Sequence, residues 1–209
     1  KAIVQAAQQA KNTSREATLW AGAGITGVPM SRRLKNSQGA IEFRPNPQGT
    51  VCNTLPVAMV KDMDGKPIAL LFSIACHPST VKGVDRSYQF SADYPGAAMA
   101  KLDEWLGAPA SIFLQGAGGD AKASVIGKGE TDWRAGTWDD VDAAGAMAAE
   151  EVKGVVEKGL VKVEPDLCNA AIVMDWPFTA LPDRKSLENT IKNPPLNAES
   201  SPEIMKLWA

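Results

Sequence analysis

The sequence predicts an α/β fold with a mixed β-sheet and flanking helices, incomplete at both ends. Three observations carry this reading. Apolar, β-rich runs of strand length alternate with segments of helical period. An Asp64-Gly65 pair stands between two such runs in "KDMDGKP", the chemistry of a tight antiparallel hairpin turn. The second of those runs, residues 68–74, is apolar on both faces, as a central strand must be.

The elements follow in order. The chain opens on "KAIVQAAQQAKN", which reads as the last turns of an amphipathic helix. Residues 15–28 alternate apolar and small side chains and predict a strand loosened by glycine. Residues 31–50 are polar and punctuated by Gly and Pro, the pattern of a long surface loop or irregular hairpin. Residues 56–62 and 67–76 are the antiparallel neighbours on either side of the Asp64-Gly65 turn. In "SADYPGAAMAKLDEWLG", Pro95 suits the first helical position and Gly107 the C-terminal cap. Residues 110–115 predict a short buried strand running into "GAGGD". Thr137 and Asp140 form a capping-box-like start for a long helix over 138–158. Residues 168–178 predict another strand, and 183–193 a short charged helix that ends before Pro194-Pro195. The closing "SPEIMKLWA" begins like a capped helix. Helices cut at the two ends lead to the expectation of an internal piece of a longer chain. Residues 1–209 then form part of a single domain, with 180–209 as a peripheral helical segment.

Composition narrows the function. The 209 residues carry a net charge of −2 with acids and bases interspersed, so there is no basic stripe to hold nucleic acid. No apolar run approaches the roughly 20 residues of a membrane span. Three cysteines, Cys52, Cys76 and Cys168, are too few and too scattered for a disulfide framework or a zinc ribbon, and the odd number favours free thiols.

Two strands end in chemically loaded loops. One ends at Cys76-His77-Pro78, with the only histidine of the chain; the other at Gln115 and "GAGGD". Ligands of open α/β sheets bind beyond the carboxyl ends of strands. If the two strands are parallel neighbours, His77 and Asp120 emerge on one edge, with Arg86, Ser91 and Asp93 able to line the same mouth. His77 alone is either a structural imidazole bonded to backbone or one ligand of a metal site whose partners lie elsewhere. Cys76 and His77 do not face each other, because adjacent strand residues point to opposite faces. The glycines of "QGAGGD" allow a close backbone approach to a ligand or simply a tight turn; neither a P-loop nor a GxGxxG spacing is present. Asp120 can orient a neighbouring ligand, and Asp93 can cap the helix that follows it. Asp139-Asp140 at a helix start answers the helix dipole.

The motifs "SRRL", "ACHPST", "SADYPG" and "FLQGAGGD", in that order and over roughly residues 20–123, resemble the neutral/alkaline (non-lysosomal) ceramidase family, in particular its bacterial branch. The resemblance implies a zinc-dependent hydrolase of the N-acyl amide bond, with zinc held by two histidines, a glutamate and a tyrosine. His77 matches the second histidine; the resemblance puts the first in a His-x-His-Ser-Gly segment upstream of Lys1 and the other two ligands downstream, in the remainder of the same polypeptide. Arg32 matches the arginine of an Asn-Arg-Ser-Pro motif, with Ser31 for the Asn and Arg33 for the Ser. Asp120 matches the Asp of a Gly-Asp-x-Ser-Pro loop whose serine is implicated in catalysis. Lys122 stands in that serine's place, and Ser124 comes two residues later.

The sequence therefore nominates Arg32, Asp120 and Lys122 as catalytic, His77 as a Zn2+ ligand, and Asp93, Gln115, Gly118 and Gly119 as substrate-binding. Arg32 or Lys122 would stabilise the oxyanion of an amide or ester. The expected substrate is a small molecule or lipid, and the resemblance implies a secreted or periplasmic enzyme. Two other readings stand beside this one: a degenerate member that binds lipid or glycan without turnover, and an α/β domain that holds a phosphorylated ligand on "GAGGD".

Overall fold

The Asp64-Gly65 turn sits where a hairpin needs it. Gly65 adopts φ 84°, its amide donates to the Asp62 carbonyl, and the Asp62 carboxylate accepts from the amides of Asp64 and Lys66. The computed structural model describes residues 1–82, 89–108, 110–164, 166, 170–175, 177, 180 and 182–193. They fall in two compact units, Lys1–Asp166 and Leu167–Ala209.

In the first unit the chain runs through α1 (Ala2–Asn12), β1 (Thr18–Ile25), β2 (Pro29–Ser31), β3 (Leu34–Lys35), β4 (Ile41–Glu42), β5 (Thr54–Lys61) and β6 (Pro67–Ile74). It continues through α2 (Asp93–Leu106), β7 (Ser111–Gln115), β8 (Ala121–Ala123), α3 (Trp138–Glu157) and β9 (Val161–Val163). The main sheet has the order β7-β6-β5-β1-β9, with β6 and β7 parallel and the other pairs antiparallel. This is the mixed α/β sheet the sequence predicts. Two small sheets, β2-β8 and β3-β4, lie outside it.

Alternation sets the register. Val57 pairs with Phe72 and Phe72 with Phe113, and this row, with Leu70 and Ile74, packs against Ala98, Leu102, Ala148 and Val152 of α2 and α3. Phe72 is 1% exposed, and burying such a side chain is worth about 1.5–3 kcal/mol. A one-residue slip would turn Leu70, Phe72 and Ile74 to the other face. The helices approach closely enough that a Cβ on Gly24 of β1 would lie 2.5 Å from Val155 Cγ2 of α3.

Three expectations need correction, and the placement of the helices bears on the first. Both packed helices lie on one face, and the opposite row, Ala21–Ala58–Leu71–Ile112, is uncovered by helix among the described residues. Consequently β7 is an edge strand, not a buried one: Phe113 packs inward while Ile112 and Leu114 are 45% and 49% exposed. Helix α2 starts at Asp93, so Pro95 is its third residue; the first four amides of a helix have no partner within it, and a proline is tolerated there too. Gly107 caps that helix in the left-handed region, as expected. Residues 170–175 of the run 168–178 form no strand; Ile172 and Val173 are 82% and 94% exposed, no strand among the described residues pairs with them, and residues 168, 169, 176 and 178 lie outside the described residues. The strand that closes the sheet is the Val-Lys-Val of β9, which pairs with β1. The second unit contains α4 (Arg184–Lys192), capped by Asp183 accepting from Ser186 N at 2.9 Å. Residues 83–88, with Arg86, Cys168, the prolines 194–195 and the closing segment are outside the described residues.

Helix α3 begins with a complete capping box between Thr137 and Asp140, and Arg134 Nη1 donates to Asp140 Oδ2 at 2.7 Å. The Arg134 guanidinium, aided by the Thr137 amide and hydroxyl, holds the Asp140 carboxyl well below the usual range against the opposing effect of burial. A depressed folded-state pKa stabilises above the unfolded value of about 3.9 and loses that contribution as pH falls through the folded one. Asp140→Asn is therefore expected to lower the urea midpoint at neutral pH, with the difference from the parent shrinking below about pH 4. A difference that grew on acidification would contradict this.

Candidate active site at the carboxyl edge of β6 and β7

Ile74 pairs with Gln115 at the last rung of the parallel ladder, so the loops that follow leave the sheet side by side. Backbone bonds then lock them together. Gly116 N donates to Ile74 O at 3.1 Å and His77 N to Ala121 O at 3.1 Å. The β2-β8 pair joins the "SRRL" segment to the same place, with Met30 opposite Lys122 and Arg32 N donating to Asp120 O at 2.9 Å. The "SADYPG" segment is tied in through Tyr94 Oη, which donates to Cys76 O at 3.1 Å, and through Asp93. Four segments far apart in sequence thus meet at one edge.

His77 is half-buried, and its Nδ1 lies 2.8 Å from the Gly118 carbonyl. A carbonyl partner accepts from Nδ1, so in the neutral ring Nε2 is the nitrogen that carries the lone pair. Zinc-bound imidazoles are oriented this way, so His77 fits one ligand position. A whole site does not form here: among the described residues no three His, Cys, Asp or Glu side chains gather to hold a metal. With Pro78, Gln115, Gly116, Gly118 and Gly119, His77 lines a cavity of about 260 Å³. The larger cavity, about 440 Å³, lies apart from His77, between Gly27, Met30, Asn46, Met147 and Glu151. Ser124 faces that one and donates to Gly27 O at 2.7 Å, so its hydroxyl does not stand in for Lys122's position.

The glycine loop is mostly occupied by its own backbone. A Cβ on Gly118 would lie 2.5 Å from Cys76 N. The amides of Gly116, Gly118 and Ala121 all donate to carbonyls of Ile74, Gly116 and Gly118, which leaves little for a phosphate cradle. Gly119 is the open one, with nothing within 4 Å of a Cβ. Gln115 Nε2 donates to Gly116 O at 2.8 Å and to Cys76 O at 3.2 Å.

Asp93 is 5% exposed and its carboxylate accepts from the amides of Thr80, Val81 and Tyr94, so it holds the loop beyond His77 onto α2. Ser91 Oγ accepts from Asp93 N. Asp120 is exposed and pairs with Arg33 Nε at 2.7 Å, not with Arg32. Cys76 is sealed in the core, where burial pushes its thiol up to about 12 and makes it no nucleophile.

Arg32 and Lys122 stand together beside the rings of Phe43 and Trp133. Arg32 Cζ stands 5.1 Å from the Phe43 ring centre, and Lys122 Nζ 6.0 Å from Phe43 and 5.6 Å from Trp133. Burial lowers the Lys122 pKa, followed by the charges of Lys82 and Arg32, while Asp93 and Cys76 act the other way. Phe43, Trp133, Arg33 and Lys82 were not nominated by sequence. The signal for Phe43 lay in the hairpin: Asn36 Oδ1 accepts from the amides of Gln38 and Ala40, folding Leu34 onto Glu42 and returning Phe43 to Arg32.

A mixed sheet with helices on one face and a loaded carboxyl edge is the fold class this geometry defines. It is similar to solved neutral ceramidases. The crystal structure of neutral ceramidase from Pseudomonas aeruginosa matches at TM-score 0.62 and 15% identity, over 78% of this chain and 26% of that one. A ceramidase complexed with C2 matches at TM-score 0.60 and 14% identity, over 76% and 25%. At these identities the likeness is one of fold, and the chain spans about a quarter of each ceramidase. No protein-family model and no curated protein matches the sequence. Among the described residues no helix is long and apolar enough to cross a membrane.

Proposed function

We propose that this chain is part of a metal-dependent hydrolase that cleaves an amide or ester bond in a small-molecule or lipid substrate, with His77 as one zinc ligand. The observation that supports it most is the His77 Nδ1–Gly118 carbonyl bond, which frees Nε2 beside the cavity at the carboxyl edge of β6 and β7. The ceramidase-like fold agrees with it. The remaining ligands would come from the rest of a longer polypeptide. Bound zinc supplies carbonyl polarisation and a water of lowered pKa. The residues of this chain have the other tasks. Gly118 keeps the imidazole in one tautomer, and Asp93 and Tyr94 hold the loops that carry His77. Arg32 or Lys122 supplies positive charge for the developing oxyanion.

Lys122 favours a second reading, a binding protein without turnover, because an amine replaces the hydroxyl that the resemblance leads one to expect. Turnover of short N-acyl amides and simple esters, with and without chelator, separates the two. For the full-length protein, His77→Ala is expected to reduce zinc affinity at least about tenfold, read by metal analysis after dialysis. Equal zinc in parent and variant would sink the assignment.

A further inference from the structure

The cations beside the glycine loop outnumber what one developing oxyanion needs. Arg32 and Lys122 share the Phe43 ring, Lys122 also stands over Trp133, and Lys82 is close enough to act on Lys122 electrostatically. Among the described residues none of the three has a salt-bridge partner, although Arg33, next to Arg32, has one in Asp120. Asp93, the acid nearest in effect, has its carboxylate engaged by three backbone amides. Two donors here are buried without an acceptor, Arg32 Nε and Trp133 Nε1. A buried donor left unbonded costs about 1–3 kcal/mol, and these two lie beside cations that have no acidic partner among the described residues.

We propose that Arg32 and Lys122, with Lys82 at the margin, bind a permanent oxyanion group of the substrate, a carboxylate or a phosphate, and that Phe43 and Trp133 flank the substrate beside it. The guanidinium fork suits either group, and the ammonium adds a point charge. The inference deepens the hydrolase reading: the bond cleaved belongs to an anionic amide or ester, and an uncharged N-acyl amide leaves the cluster unmatched. It names the substrate class of that same site and rests on that reading.

The test uses the full-length protein. Inorganic phosphate and acetate are titrated separately by calorimetry against the parent, Lys122→Met, Lys122→Arg and, as a surface control, Lys162→Met. Saturable binding of at least one anion is expected, weakened about tenfold in Lys122→Met, retained in Lys122→Arg and unchanged in Lys162→Met. The better of the two anions identifies the group. Circular dichroism confirms that each variant is folded. In parallel, kcat/KM is measured for matched N-acyl amides that differ only in a carboxylate. Anion binding without hydrolysis of any substrate supports the anion site and overturns the hydrolase reading. Hydrolysis of uncharged amides with no saturable anion binding overturns the anion site and leaves the hydrolase reading standing.

Discussion

A Gly118→Ala variant is expected to be about 2–3 kcal/mol less stable than the parent and to lose the fixed tautomer of His77. The new methyl would lie 2.5 Å from Cys76 N and 2.8 Å from Ala75 C and Cys76 Cα. All three are backbone atoms in the segment that leaves β6, so no side chain can rotate away and the two loops must separate. Separation pulls the Gly118 carbonyl from His77 Nδ1, now 2.8 Å away, and strains the His77 N to Ala121 O bond. Gly119→Ala, one residue on, meets nothing within 4 Å and is expected to change stability by less than about 0.5 kcal/mol. Urea midpoints of the two variants give the stabilities, and the 15N shifts of the His77 ring give the tautomer. Similar midpoints for the two alanines would mean that the loop is not wedged against Cys76 as the geometry requires.

That contrast bears on how much of the site was legible in the sequence. "GAGGD" read as a loop able to approach something closely, and it does, but what it approaches is the backbone of the neighbouring loop, which no local pattern could reveal. Elements whose signals are local were readable: the Asp64-Gly65 turn, the Thr137–Asp140 box and the Gly107 cap each depend on residues within a few positions. That β6 and β7 are parallel neighbours was only a condition in reading their loaded ends, and the ladder meets it. The three-residue strands β2 and β8 were not readable, because so short a segment has no period, yet they bring Arg32 to Lys122. The Arg33–Asp120 pair was missed for the same reason: which of two adjacent arginines meets the acid depends on the twist of that small sheet. Residues 170–175 misled because an apolar run promises neither burial nor a partner edge.

Asp93 decides whether the loop beyond His77 is held from within the fold or by ligand. Its φ of 51° is a conformation that non-glycine residues adopt at a cost of about 1–2 kcal/mol, and it is the only non-glycine residue with positive φ among those described. The cost is offset because the carboxylate then meets Tyr94 N at 2.8 Å with one oxygen and Thr80 N at 2.9 Å and Val81 N at 3.3 Å with the other. Asp93→Ala leaves three amides without an acceptor in a buried place and keeps the strain, so a loss of about 3–5 kcal/mol is expected. Asp93→Gly relieves the strain alone and is expected to recover about 1 kcal/mol of that. Asp93→Asn turns one accepting oxygen into a donor that confronts an amide, and a loss of about 1–3 kcal/mol follows. Hydrogen exchange at Thr80 and Val81 should accelerate in all three variants as the loop detaches from α2. A carboxylate whose task was to bind substrate would behave differently: Asp93→Asn would then raise KM while leaving the urea midpoint and the Thr80 and Val81 exchange rates at their parental values.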